Sequence, residues 1–315
     1  MGHVPSVQSL LRVPQALGYW LGVGHKGMIE AGEDAIFLCH GTPRRTADRL
    51  ERQLRYLRRA FRIVPLAAFA ASFGTPRKPG RGRRAAIIFD DGLRSNVVVA
   101  YPILRALGTP ATFFVCPGLI EERRWLWTHE ARRRLQFSGQ ALRQALAAEL
   151  AAPAEVEPIV QRMKEIDFPR RIRIEATLRQ ATAGFVPSEA DREAFDLAGW
   201  HELRSLDPSI ITVGSHSMTH PILPSLSAEG IEAELRDSRR MIEEKLSRPA
   251  EFFSYPNDDV DERTLAGARR HYRAAVCYGA PPGSDPHLMS CMHLPGSVLA
   301  LAWKVNQQRA VAAAG

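Results

Sequence analysis

The 315-residue sequence predicts an α/β protein whose parallel strands close, or nearly close, into a (β/α) barrel carrying a helical insertion. Two observations predict the barrel. Short runs of strand length alternate with amphipathic helical stretches over most of the chain, and several of these runs are apolar at every position, as strands buried on both faces are. A third observation places the insertion. Between about residues 121 and 198 the strand runs stop, and the chain turns rich in Ala, Arg, Glu and Leu.

Taken in order, residues 1–34 form an N-terminal segment. Leu10, Leu11, Leu17, Tyr19, Trp20 and Leu21 make part of it amphipathic, and packing on the protein is expected over membrane contact. Its apolar runs are too short to cross a membrane, and it lacks the basic start and uninterrupted apolar centre of a secretory leader. The barrel unit is expected over 35–315. Residues 35–39 (AIFLC) read as a buried strand ending at His40, and TPRRTADRLERQLRYLRRAF as a basic amphipathic helix. Ile63-Val64 is a brief strand, and 73–84 a Pro/Gly/Arg loop. A strand at 85–89 follows, then a helix at 97–107 despite Pro102, then a strand at 111–115 between Pro110 and Pro117.

Inside the insertion, QALRQALAAELAAPAEVEPIVQRMKEI reads as helix, break, helix. WLWTHEARRRL sets Trp125 and Trp127 beside a basic cluster: either a solvated, Arg-rich face anchored by tryptophan, or a wall for an anionic or sugar ligand. Alternation resumes at 199 with a short helix (GWHELRSL) and a strand (SIITVGS) leading into His216. A long helix capped by Ser227, a strand (AEFFSY), a helix at 261–272, a strand (RAAVCY) and a last helix at 297–309 complete the chain.

A composition of 45% hydrophobic and 24% charged residues is that of an ordinary globular protein and excludes a disordered chain. The net charge of +8 rests mostly on Arg, which suits phosphate and carboxylate partners. No recognition motif accompanies that charge, so nucleic acid is not an expected partner. Cys39, Cys116, Cys277 and Cys291 show no Cys-x-x-Cys spacing, which excludes a zinc ribbon and a redox pair. Three of them end apolar runs and read as small core-edge residues in a reducing compartment.

The chemistry gathers at two strand ends. AAIIFDDG stops an apolar strand on two adjacent carboxylates, Asp90 and Asp91, which repel each other and lose solvation there. Side chains alternate along a strand, so one carboxylate can hold a metal while the other stays free as a base. VGSHSMTHP delivers His216 and His220 from a second apolar strand, and two His four apart lie on one side of a helical turn. Two imidazoles and one carboxylate make a divalent metal site with an open position, leaving the second carboxylate to activate a water.

These motifs resemble those of the polysaccharide deacetylases, the NodB-homology group also called carbohydrate esterase family 4. IIFDDG resembles the family's first motif, PATFFV the strand after it, GSHSMTHPIL the second motif and FFSYP the third, over about 35–120 and 199–295. The resemblance implies a distorted (β/α) barrel and a hydrolase of carbon–nitrogen bonds that removes an N-acetyl or O-acetyl group from a sugar. It implies Asp91, His216 and His220 as ligands of a divalent ion (zinc first, with Co2+, Ni2+ or Mn2+ also serving) and Asp90 as general base. It further implies a backbone N–H near Tyr255, Pro256 and Asn257 as the oxyanion donor.

The layout before the Asp pair is closest to the poly-N-acetylglucosamine deacetylase branch, which makes His40 the expected acid or site-lining residue; His287 and His293 are the alternatives. The chain departs from the family pattern at three points. Asp258 stands where Gly is usual, Cys291 and His293 stand where an Arg usually braces the catalytic Asp, and the 121–198 insertion is long. Two other readings are hydrolysis of a non-sugar C–N bond, in a cyclic amide or formamide, and a catalytically degenerate glycan-binding protein. A cytoplasmic setting is expected. There a lipid-linked or nucleotide-linked sugar at the inner membrane face would suit the Arg-rich surface.

Overall fold

A computed structural model describes residues 34–75, 82–281 and 283–312. Its strands are β1 (Ala35–Cys39), β2 (Arg62–Ile63), β3 (Arg84–Phe89), β4 (Ala111–Val115), β5 (Ile211–Ser215), β6 (Phe252–Ser254), β7 (Ala274–Tyr278) and β8 (Met289–His293), and most of them are the expected apolar runs. All pair in parallel. One edge of β3 lies along β1, with Ala35 opposite Ala85 and Cys39 opposite Phe89. Its other edge is shared: β2 takes the first half, with Arg62 opposite Arg84, and β4 the second, with Ile88 opposite Thr112. Because β8 pairs with both β7 and β1, seven strands close into a barrel, and β2 remains a stub outside the ring.

The closing strand β8 was not among the expected strands. Its sequence, MSCMH, is no apolar run. Met289 and Cys291 face the barrel interior, Ser290 faces solvent, and only closure of the ring makes the segment a strand.

Alternation along each strand decides what faces inward. Ile36, Leu38, Ala86, Ile88, Phe114, Phe252, Val276 and Cys291 fill the interior as one cluster. Two residues further along the same strands the interior row turns polar: His40 follows Leu38, Asp90 follows Ile88, Ser254 follows Phe252, Tyr278 follows Val276 and His293 follows Cys291. The mouth of the barrel is therefore polar by the same period that makes its centre apolar.

The outward residues Phe37, Ile87, Phe113 and Val213 pack under helices. Helix α1 (Ala47–Ala60) lays Leu50, Leu54 and Leu57 on them; α2 (Leu66–Ala70) lies beside β3. A π-turn at Asn96–Ala100 precedes α3 (Tyr101–Ala106), and Pro102 is accommodated in that first turn, where its missing N–H is tolerated. Helix α4 (Pro117–Glu122) leads into the insertion, which folds as α5 (Trp127–Phe137), α6 (Gln140–Leu150), α7 (Val156–Glu165), α8 (Phe168–Ala181) and α9 (Glu189–Phe195). The first four of these helices share a core of their own, including Trp127, Leu135, Leu150, Ile159, Met163 and Ile174, which also takes in Ile222 from the barrel. After α10 (Trp200–Arg204) come α11 (Ala228–Leu246), α12 (Glu262–His271) and α13 (Val298–Ala312). Ser227 caps α11 through the Gly230 N–H at 3.1 Å, as expected. Among the described residues no helix is long and apolar enough to cross a membrane. The N-terminal amphipathic stretch lies outside the described residues, as does half of the 73–84 loop.

Gly214 lets the interior pack. A Cβ there would fall 2.6 Å from a Phe114 ring carbon and 2.8 Å from the Phe252 carbonyl, and the backbone carbonyl cannot swing away. Gly214→Ala is expected to destabilise the fold by about 1–3 kcal/mol, read from the urea midpoint. An unchanged midpoint would contradict this packing.

Candidate metal centre and catalytic cleft

The polar mouth of the barrel is a cleft whose lining includes His40, Asp90, Asp91, His129, His216 and His220. Asp91, His216 and His220 are all buried, and each offers one ligand atom within 4.8 Å of the others. His216 Nε2 and His220 Nε2 each lie 3.6 Å from Asp91 Oδ1. The Nδ1 of His216 is 2.7 Å from the Ser254 carbonyl. That acceptor places the proton on Nδ1 and leaves the Nε2 lone pair facing Asp91. Burial lowers both imidazoles, His220 to about 3, with the neighbouring His216 adding to it. Both rings are thus neutral near pH 7, the form that can ligate.

The two carboxylates are held differently. Asp90 Oδ2 accepts the Ser254 hydroxyl at 2.9 Å, and Oδ1 is buried without a partner among the described residues. Burial is the largest influence and pushes Asp90 up to about 7, against the opposing charge of His40, with Asp91 adding to the rise. Burial would raise Asp91 as well. There the His129 contact and the charges of His40, His220 and His216 outweigh it and hold the carboxyl below the usual range. The Ser254 hydroxyl is the side-chain donor that holds Asp90.

Backbone conformation aims these donors. Asp91 has φ 74° and is followed by Gly92 at φ 68°; His220 has φ 57° and Ser217 φ 64°. A non-glycine residue in this region costs on the order of 1–3 kcal/mol, and such strain clusters at working sites. The two histidines do not sit on a helical turn, which corrects the reading from their spacing. His216 directly follows β5, and a loop with two left-handed residues brings His220 back beside it. Glu234 of α11 pins that loop, accepting from the Met218 and Thr219 amides at 2.8 and 2.9 Å and from the Thr219 hydroxyl at 2.7 Å.

The expected acids separate by position. His40 is exposed at the mouth, lines the cleft with Asp90, and stacks on His293 with ring centroids 5.2 Å apart. Partial desolvation pushes His293 down to about 4, with the charges of His40 and Lys304 adding. His287 precedes β8, at the end of the barrel away from the mouth; its Nε2 lies 2.9 Å from the Tyr272 carbonyl, so it is no partner of this cleft. Of the three expected oxyanion residues, Tyr255 has its N–H bonded to Val276 O at 3.2 Å, and Pro256 has no N–H. Asn257 lines the cleft, and its Nδ2 is buried without a partner among the described residues. Asp258 has φ 61°, which accounts for a glycine being usual there. Its Oδ1 accepts the Tyr278 N–H at 2.8 Å, a bond glycine could not make.

His129 was missed by sequence reasoning. It lies on α5 of the insertion, with Nε2 3.9 Å from Asp91 Oδ2, the oxygen turned away from the two imidazoles. Its ring stacks on Phe195 of α9 at 4.7 Å. The WLWTHEARRRL segment is anchored by its tryptophans and runs along the cleft. Its arginines are spent within the insertion, Arg132 on Glu157, Arg133 on Asp191 and Arg134 on Glu130. Trp125 and Trp127 are buried, their indole N–H groups on Asp196 at 2.8 Å and on the His220 carbonyl at 3.2 Å. Leu126, Thr128 and His129 form a wall of the cleft. All four cysteines are free.

A parallel barrel with this cleft at the C-terminal ends of its strands has the form of a barrel hydrolase. The polysaccharide deacetylase family model matches residues 77–168 and 171–275, more than half of the chain, and the protein belongs to that family, hydrolases of carbon–nitrogen bonds in polysaccharides. No curated protein sequence matches it. Among solved structures it is similar to the Streptococcus pyogenes deacetylase PplD in complex with acetate (TM-score 0.57, 15% identity, 86% of this chain and 97% of that one). It is likewise similar to IcaB from Ammonifex degensii (0.56, 17%, 87% and 97%) and to a polysaccharide deacetylase from Bacillus cereus (0.52, 15%, 86% and 68%). At these identities the likeness is one of fold.

Proposed function

We propose that the protein is a metal-dependent deacetylase that hydrolyses the acetamide of an acetylated sugar, with Asp90 as general base and His40 as general acid. The observation that carries this reading is the convergence, in one cleft, of three ligand atoms on Asp91, His216 and His220 with the unpartnered Oδ1 of Asp90. The donor set fits zinc, because two neutral imidazoles and a carboxylate leave a position open. A zinc ion held there would supply Lewis acidity for the acetyl carbonyl and for a water.

The chain's own groups do the rest. Asp90 takes a proton from the attacking water at Oδ1 while Ser254 fixes Oδ2. Asn257, through its amide and its unpartnered Nδ2, donates to the oxygen that gains charge at the acetyl carbon. His40 gives a proton to the amine nitrogen as the C–N bond breaks, leaving acetate and a free amino sugar. His293, held largely unprotonated near neutral pH, is the poorer donor. His129 faces Asp91 Oδ2 and keeps Oδ1 turned to the imidazoles; it is a positioning residue, like the partners that orient ligands in other metal sites.

Elemental analysis of protein purified without chelator is expected to find about one divalent ion per chain, lost in His216→Ala with His220→Ala. Zinc at 100 times its Kd should stabilise the wild type by about 2.7 kcal/mol and leave the double variant unmoved in a thermal melt. No metal in either protein after reloading with zinc and cobalt would overturn the reading. Asp90→Asn should keep its metal and lose acetate release by about 10²–10⁴-fold on an acetyl-sugar panel. His129→Ala should weaken metal binding about 10–100-fold in a chelator competition, and His129→Gln, which keeps a donor, should recover part of that.

A further inference from the structure

A second cleft adjoins the first. The two share Leu38 and His40, so His40 stands as the partition between them. Beyond it the second cleft is lined by Thr42, Thr46, Arg49, Gln53 and His293, with no acidic residue among the described residues of its lining. The contrast with the first cleft, which holds Asp90, Asp91 and Asp258, is one of sign.

Arg49 carries the charge. Its guanidinium makes no ion pair or hydrogen bond among the described residues, whereas Arg55 on the same helix is held by Glu51 at 2.7 Å. Arg49 reaches back toward the end of β1, where its charge opposes the rise that burial imposes on Cys39. Lys304 of α13, half-buried, adds a second positive charge near His293. Gln53 is nearly fully buried and is tied to the Pro295 carbonyl, which fixes the far wall. An unpaired guanidinium in a groove that has hydroxyls, imidazoles and no carboxylate is suited to a phosphate or carboxylate oxygen.

We propose that this cleft receives an anionic group of the substrate, a phosphate or a carboxylate, carried next to the sugar whose acetamide lies at Asp90. The proposal rests on the deacetylase reading for the nature of the sugar and adds the charge of its neighbour. A sugar seated against His40 on the metal side has its next substituent on the other side of His40, facing Arg49.

Calorimetry on the zinc-loaded full chain tests it with three probes: N-acetylglucosamine 1-phosphate, a disaccharide of N-acetylglucosamine and glucuronic acid, and neutral methyl N-acetylglucosaminide. At least one charged probe should bind about tenfold tighter than the neutral one, and which of them does so tells phosphate from carboxylate. Arg49→Gln should bring that probe down to the affinity of the neutral sugar, and Arg49→Lys should keep part of the gain. Arg49 is exposed, so both variants are expected to fold. Equal binding of all three probes, no binding of either charged probe, or a preference that survives Arg49→Gln would overturn the proposal. Acetate assays on the same probes separate the two readings. A charge preference without acetate release counts against the deacetylase alone. Acetate release with equal KM on charged and neutral probes counts against the anion cleft alone.

Discussion

Asp90 and Asp91 leave β3 side by side at the mouth of a closed barrel, where there is little water to spread their charge. The surroundings send the two carboxylates to different partners. Asp91 turns into the left-handed region and meets two imidazoles on one oxygen and a third imidazole on the other. Asp90 continues the inward row of β3, receives one hydroxyl and keeps one oxygen bare. The environment thus pushes their proton affinities apart, Asp90 upward and Asp91 downward. Separation of this kind between neighbouring titratable groups is how a site divides the roles of base and ligand.

That division depends on elements far apart in the chain. Ser254 at the end of β6 accepts from His216 with its carbonyl and donates to Asp90 with its hydroxyl, so one residue orients a metal-ligand candidate and a base candidate together. Glu234 on α11 holds the loop that returns His220. The insertion closes the third side. Trp127 bonds the His220 carbonyl, Ile222 joins the insertion's core, and His129 faces Asp91. Arg171 is buried under Trp127, 4.5 Å from its ring, and pairs with Glu175 at 3.1 Å, so the wall stands on an internally neutralised base. The insertion's arginines mostly serve its own carboxylates, which leaves α1 and the second cleft as a place where unspent positive charge meets the mouth of the barrel.

Much of this was legible in the chain. The apolar runs, the turn after AIIFDDG and the two His residues after IITV are local patterns, and local patterns report strand, turn and residue chemistry without knowledge of the rest. His40 was singled out by the resemblance of the layout before the Asp pair to that of the poly-N-acetylglucosamine deacetylases. The role of Ser254 was not legible: the period of two places it on the inward row only once the structure shows which face of β6 is inward.

What only the tertiary structure decided was contact between distant segments. Strand β8 has no local signature, because Met289 and Cys291 are apolar for the interior while Ser290 faces water; it is a strand because β7 and β1 lie on either side of it. His129 sits in a helix whose sequence leaves a solvated basic face and a ligand wall both open, and only the packing of the insertion helices brings it within 3.9 Å of Asp91. His287 and His40 look alike as letters and lie at opposite ends of a barrel whose strands all run one way. The sequence by itself determined which side chains were present and how each strand alternated. The closed, parallel ring decided which of them share a cleft, because closure alone brings the ends of strands separated by a hundred residues or more, such as β3 and β5, to one mouth.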